Sequence, residues 1–132
     1  MEKNKINFIS EIASTHNGNP DVICKIINKH LETNSDYIKI QILKAENIHK
    51  KNTKLFNRYK EIEIDFSVWD NIISQYWKKT KLIIEPFDND SYLFAKKYKN
   101  KLDLKISSSE SDNFQIIKDA NKNFRKVFIN LS

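Results

Sequence analysis

The sequence predicts an α/β protein built on a parallel sheet, and three observations point there. Strand-like alternation and helix-like periodicity follow one another along the chain, with crossovers long enough for parallel pairing. Two of the strand stretches share a design. In the stretch 37–46, Ile38, Ile40 and Ile42 fall on one face, and Tyr37, Lys39 and Gln41 on the other. In 102–107, Leu102, Leu104 and Ile106 share a face opposite Asp103, Lys105 and Ser107. A strand with lysine on its second face is either half-exposed to water or part of a polar pocket. Finally, Glu11, Gln41, Asp88, Lys105, Ser107 and Glu110 sit at or just beyond strand carboxyl ends, where parallel α/β folds place their ligand sites.

The elements follow in order. Residues 6–12 read as a first strand, with Asn7, Ile9 and Glu11 on one side. A loop with the only glycine, Gly18, comes next. Pro20 and Asp21 suit the first turn of a helix running to about residue 33, with Val22, Ile23, Ile26, Ile27, His30 and Leu31 on its buried stripe. After the strand at Tyr37, residues 45–64 are polar and irregular and hold short helices. Asp65 caps a further helix with Phe66, Trp69, Ile72, Ile73, Tyr76 and Trp77 as its apolar face. Residues 81–85 form a third strand stopped by Pro86. A helix over 90–99 precedes the fourth strand, 102–107. Ser111 or Asp112 caps a helix carrying Phe114, Ile116, Ile117 and Ala120, and residues 126–131 form a fifth strand.

The 132 residues are enough for one domain with a core, and no linker or low-complexity segment divides them. The apolar runs are too short for a membrane span, and the N-terminus lacks the apolar stretch of a signal peptide. The single cysteine, Cys24, has no internal disulfide partner, so a cytoplasmic location is the default expectation. The net charge of +6 points to an anionic partner, a nucleic acid or a phosphorylated substrate. The lysines are scattered, however, in a sequence dominated by Lys, Asn and Ile, and compositional bias accounts for most of the charge.

Several motifs are recognisable in their order and spacing. They are Glu11-Ile-Ala-Ser-Thr-His-Asn-Gly18, Lys39-Ile-Gln-Ile-Leu-Lys-Ala-Glu46, Pro86-Phe87-Asp88 and Lys105-Ile-Ser-Ser-Ser-Glu110 followed by Asn113, with Glu63, Phe66 and Trp69 at a matching spacing. Across the whole chain they resemble the N-terminal half of the sialic acid synthase family. That resemblance implies a partial (β/α)8 TIM-type barrel of about five parallel strands. It also implies condensation of phosphoenolpyruvate with N-acetylmannosamine or a related N-acetylated amino sugar, with manganese or magnesium as the divalent metal, in surface glycan biosynthesis.

By the resemblance, Lys39 and Lys105 hold the phosphate and carboxylate of phosphoenolpyruvate. A trianion needs cations converging from different strands, and two inward lysines supply them. Ser107 matches a phosphate-contacting serine, with Ser108 and Ser109 in the same turn, and Gln41 matches a sugar-contacting amide. Glu11 and Glu110 match acidic residues near the reacting centre, where a carboxylate orients water or sugar hydroxyls. Phe87 and Asp88 shape the pocket wall. His16 is an orienting or surface residue, His30 is packing, and His49 has no assigned role.

The chain also departs from the family pattern. Serines 107–109 stand where a glycine is usual, and Ile42 where a threonine is common. Glu85 replaces the expected serine or threonine before Pro86, a negative charge that counts against tight binding of an anion. The usual Ser-Thr-Gly end of the fifth strand appears only as Asn130-Leu131-Ser132. The family's metal histidines lie on later strands, and residues 1–132 read as an incomplete barrel without the C-terminal strands or the antifreeze-like domain. Activity is therefore expected only with a complementary C-terminal half or a homodimer. The alternatives are a non-catalytic fragment or interaction module that keeps the fold, and a small basic nucleic-acid-binding protein. The last has no basic stripe, helix-turn-helix signal or RNA-binding aromatic motif behind it.

Overall fold

The computed structural model describes residues 6–130. Among them five strands form one sheet: β1 (Ile9–Glu11), β2 (Tyr37–Ile42), β3 (Lys81–Pro86), β4 (Asp103–Ile106) and β5 (Val127–Ile129). All neighbours pair in parallel and in sequential order, and the sheet curls into a half-barrel. Sequential parallel order is what strand-helix repeats with short right-handed crossovers produce. The connecting helices are α1 (Pro20–Leu31), α2 (Ala45–Ile48), α3 (Lys54–Ile62), α4 (Phe66–Tyr76), α5 (Asn89–Lys96) and α6 (Phe114–Asn123). None of them is long and apolar enough to cross a membrane.

The main core lies between the sheet's outer face and the helices. Ile38, Ile40, Ile42, Leu82, Ile84, Leu104 and Ile106 pack there with Ile23 and Ile27 of α1, Trp69, Ile72, Ile73 and Tyr76 of α4, and Phe94 and Ala95 of α5. Each buried isoleucine contributes about 1.5–3 kcal/mol by leaving water. Period-2 alternation in the strands then forces the polar residues of β2 and β4 to the concave inner face. Aromatic packing also joins β2 to β5. Tyr37 meets Phe128 edge-on at 5.8 Å, and the Lys126 ammonium donates to the Tyr37 hydroxyl at 2.9 Å.

Local chemistry explains most helix starts. Asn19 accepts from the Asp21 amide and Pro20 opens α1, while Thr53 caps α3 and Asp65 occupies the N-cap of α4. Several expected boundaries differ. β1 is shorter than 6–12, because only Ile9–Glu11 reach β2 in register. α1 ends at Leu31, which is exposed rather than part of the buried stripe. Pro86 does not stop β3: it pairs with Ile42, and the Phe87 amide continues the ladder to the Ile42 carbonyl. α5 starts and ends earlier than 90–99, capped by Asp88. α6 is capped by Asn113 rather than Ser111 or Asp112, because a 3₁₀ turn at Ser108–Glu110 carries the chain past those residues first. Phe114 is 80% exposed, so it is not on a core face. β4 and β5 are shorter than expected, and Leu131 and Ser132 lie outside the described residues.

Candidate functional site

Four charged side chains meet on the inner face near the carboxyl ends of β1 to β4. Strand register brings them together: Glu11 pairs with Lys39, and Gln41 with Glu85. Residues paired across a parallel ladder point to the same face, so all four enter the barrel interior. Lys39 Nζ donates to Glu85 Oε2 at 2.5 Å and lies 2.7 Å from Glu11 Oε1. Lys105 Nζ donates to the other oxygen of Glu85. The Gln41 amide bridges the two acids, donating to Glu11 Oε1 at 3.0 Å and to Glu85 Oε2 at 3.1 Å.

Burial is graded across the cluster. The side chains of Glu85 and Lys39 are 3% and 7% exposed, that of Lys105 is 20%, and that of Glu11 at the rim is 44%. Burial alone would lower the Lys39 ammonium, but the bonds and charges of Glu11 and Glu85 outweigh it and hold its pKa above the ordinary lysine value. The same balance runs in reverse at Glu85. Burial pushes its carboxyl up, while hydrogen bonds from Lys105, Lys39 and Gln41 keep it below the usual carboxylate range. Both buried groups are therefore ionised at neutral pH.

Beside this cluster a cavity of about 350 Å³ opens between the β3–α5 and β4–α6 connections. Lys105 forms part of its wall with Ser107, Asp88, Glu110, Asn113 and Tyr92. The Ser107 hydroxyl in that wall lies 2.8 Å from the Ser109 hydroxyl. Glu110 accepts from the Asn113 amide at 3.0 Å, a bond that steadies the turn and makes no link to the lysine cluster. Asp88 is committed to the chain itself. Its carboxylate accepts from the Lys44 amide at 2.7 Å, from the Ser91 amide and hydroxyl, and from Asn47. It thus ties the start of α5 to the β2–α2 loop.

The histidines are engaged in structure. His16 is buried edge-on against Trp69 and accepts from the Gly18 amide at 3.1 Å, and burial holds its ring below the usual histidine range. His30 bridges Ser10 and Thr80, and His49 packs against Tyr59. Among the described residues no group of three His, Cys, Asp or Glu side chains is placed to hold a metal ion. The manganese or magnesium implied by the resemblance therefore does not fit these residues as they stand.

Sequence reasoning placed Lys39, Gln41, Lys105 and Glu11 near one another and set Glu85 beside the anion site as an opposing charge, but it missed that Glu85 bonds both lysines directly. The available signal was parity: Lys81, Ile83 and Glu85 alternate, so Glu85 faces inward between the two lysine-bearing strands.

No family model matches the chain, and no curated protein matches it. Solved structures do. An N-acetylneuraminic acid (sialic acid) synthetase from Leptospira borgpetersenii serovar Hardjo-bovis, in complex with citrate, superposes with a TM-score of 0.82 at 21% identity, covering 96% of this chain and 44% of that one. A spore coat polysaccharide biosynthesis protein E from Chromobacterium violaceum gives 0.76 at 20% identity, covering 97% and 41%. Spore coat polysaccharide biosynthesis protein spsE from Bacillus subtilis gives 0.75 at 19% identity, covering 98% and 37%. The fold is thus sialic acid synthase-like, a partial (β/α) barrel, and the chain spans less than half the length of each of these structures.

Proposed function

We propose that this chain is a sugar-acid synthase component that receives the anionic end of phosphoenolpyruvate between Lys39 and Lys105. What supports this is one observation: two lysines from strands β2 and β4 converge on a single carboxylate inside a sialic acid synthase-like half-barrel. A geometry that grips one carboxylate suits another oxyanion of similar size. Citrate, bound in the Leptospira structure, is itself a polycarboxylate. Ser107 would add a hydroxyl donor from the adjoining cavity, Gln41 an amide for the sugar, and the rim carboxylate of Glu11 an acceptor for sugar hydroxyls. Glu110 would act from the cavity wall on water or a sugar hydroxyl.

A divalent metal would polarise the acceptor aldehyde in such a condensation. Its ligands would come from residues other than those described, so no step is assigned to it in this chain. Five strands do not close an eight-stranded barrel. Turnover is therefore proposed to need the remaining strands of the barrel in addition to residues 1–132.

The test is calorimetric titration with phosphoenolpyruvate. Weak binding is expected, and Lys105→Ala should weaken it further by about 1.5–3 kcal/mol, the value of a hydrogen bond to a charged group. Equal binding by both proteins would remove Lys105 from the site. Product formation from phosphoenolpyruvate, N-acetylmannosamine and manganese should appear only when a separately expressed C-terminal half is added; robust turnover by the isolated monomer would contradict the proposal. A second reading, a chain that keeps the fold without the chemistry, is favoured by one observation: Glu85 already satisfies both lysines.

A further inference from the structure

Glu85 stands where a bound oxyanion would stand. It projects from β3, the strand between those that carry Lys39 and Lys105. One of its oxygens accepts from Lys39 and Gln41, the other from Lys105. Each ammonium thus already has a carboxylate oxygen, and Lys39 has a second in Glu11. Two lysines and two glutamates leave the cluster with no net charge. An incoming phosphate or carboxylate would meet no attraction from the cluster as a whole. It would have to displace a carboxylate that is tethered to the fold and almost fully buried.

The surroundings do not look like those of a purely structural ion pair. Lys105 forms the wall between the cluster and a cavity of about 350 Å³ that also presents Ser107. A ligand in that cavity would meet Lys105, whose ammonium is already bonded to Glu85. Enough room and donors for an oxyanion are present, and the carboxylate of Glu85 is the group that competes for its cations.

We propose that Glu85 is the specificity-determining residue of this site: a built-in carboxylate that fills the two-lysine oxyanion cradle and makes the chain discriminate against free phosphate and carboxylate ligands. The proposal rests on the anion site described under Proposed function, but not on phosphoenolpyruvate being its ligand. Shortening the side chain to serine removes both the charge and the occupying atoms. Glu85→Gln removes the charge alone. Neither change strands a buried ion, since Lys39 keeps Glu11 and Lys105 reaches solvent.

The experiment compares the wild-type chain, Glu85→Ser and Glu85→Gln by calorimetry, with inorganic phosphate and with phosphoenolpyruvate as probes. Circular dichroism confirms folding. Glu85→Ser is expected to bind phosphate at least tenfold more tightly than wild type, with Glu85→Gln in between. Adding Lys105→Ala to Glu85→Ser should abolish the gain. Equal phosphate affinity in wild type and Glu85→Ser would overturn the proposal, as would a gain that survives Lys105→Ala. If Glu85→Ser is too unstable for calorimetry, thermal melting decides: phosphate should raise its midpoint more than that of wild type, and an equal or smaller rise overturns the idea. The substrate arm separates the two conclusions. A gain for phosphate without preference for phosphoenolpyruvate supports the role of Glu85 and removes the substrate. Tight, Lys105-dependent binding of phosphoenolpyruvate by wild type overturns the role of Glu85 and keeps the substrate.

Discussion

Replacing Lys39 by methionine should expose how strongly the inner-face cluster is coupled. The change removes one of two cations from Glu85, whose side chain is 3% exposed, and leaves Glu11, among the described residues, with only the Gln41 amide. Breaking a buried ion pair by removing one partner costs about 3–5 kcal/mol, because a charge is left without compensation. Glu85 retains Lys105 and Gln41, so the lower end applies, about 3 kcal/mol. Glu85→Met should cost less, about 2 kcal/mol, within the ordinary range of single substitutions, because Lys39 keeps Glu11 and Lys105 can turn to water. If the two residues act only through their contact, the double variant should be no less stable than Lys39→Met alone. That corresponds to an interaction energy of about 2 kcal/mol, within the range seen for contacting residues. Urea unfolding followed by circular dichroism, at low and high salt, measures all four corners of the cycle. Additive losses near 5 kcal/mol would show that the pair does not interact as described. So would an unchanged midpoint in Lys39→Met, since a buried carboxylate cannot lose one of its two cations without cost.

Two further outcomes follow from particular groups. Gly18 has φ of +74°, and a Cβ there would run into the Glu61 carbonyl oxygen, so Gly18→Ala should destabilise the chain by more than about 2 kcal/mol, and an unaltered thermal midpoint would refute the turn geometry. Stability should also fall on both sides of a neutral plateau. Glu85 and Glu63 titrate below the ordinary carboxylate value when folded, so their stabilisation is present above the unfolded pKa, about 4.3, and is lost as pH falls through the folded values. Lys39 titrates above the ordinary lysine value, so its contribution is complete below the unfolded pKa, about 10.4, and is lost as pH rises through the folded one. A urea midpoint that stays constant from neutral pH into the acid range would contradict the acid limb, and Glu85→Gln should flatten that limb.

Residues 37–42 show how much is readable from local order alone. Alternation assigned Ile38, Ile40 and Ile42 to one face and Lys39 and Gln41 to the other, because successive side chains of a strand must point to opposite sides. The same rule placed Lys105 and Ser107, and the succession of strands and helices announced the parallel sheet. The start of α1 at Pro20 and of α4 after Asp65 were equally legible, since a helix start is decided within a few residues. Periodicity names a face but not what that face meets. Glu85 found its partners 46 and 20 residues away, through the register of three strands that no local pattern encodes. Asn113 displaced Ser111 and Asp112 as a cap because a preceding turn consumed them, and Phe114 was left outside the core because α6 turns that position to the surface. Asp88, a polar residue at a strand end, spends its oxygens on two backbone amides and two side chains brought to it by folding. Local sequence thus determined which residues line the barrel, through the two-residue period of a strand. Only the tertiary structure decided which of their charges cancel, because charge pairing depends on distances across strands rather than along them.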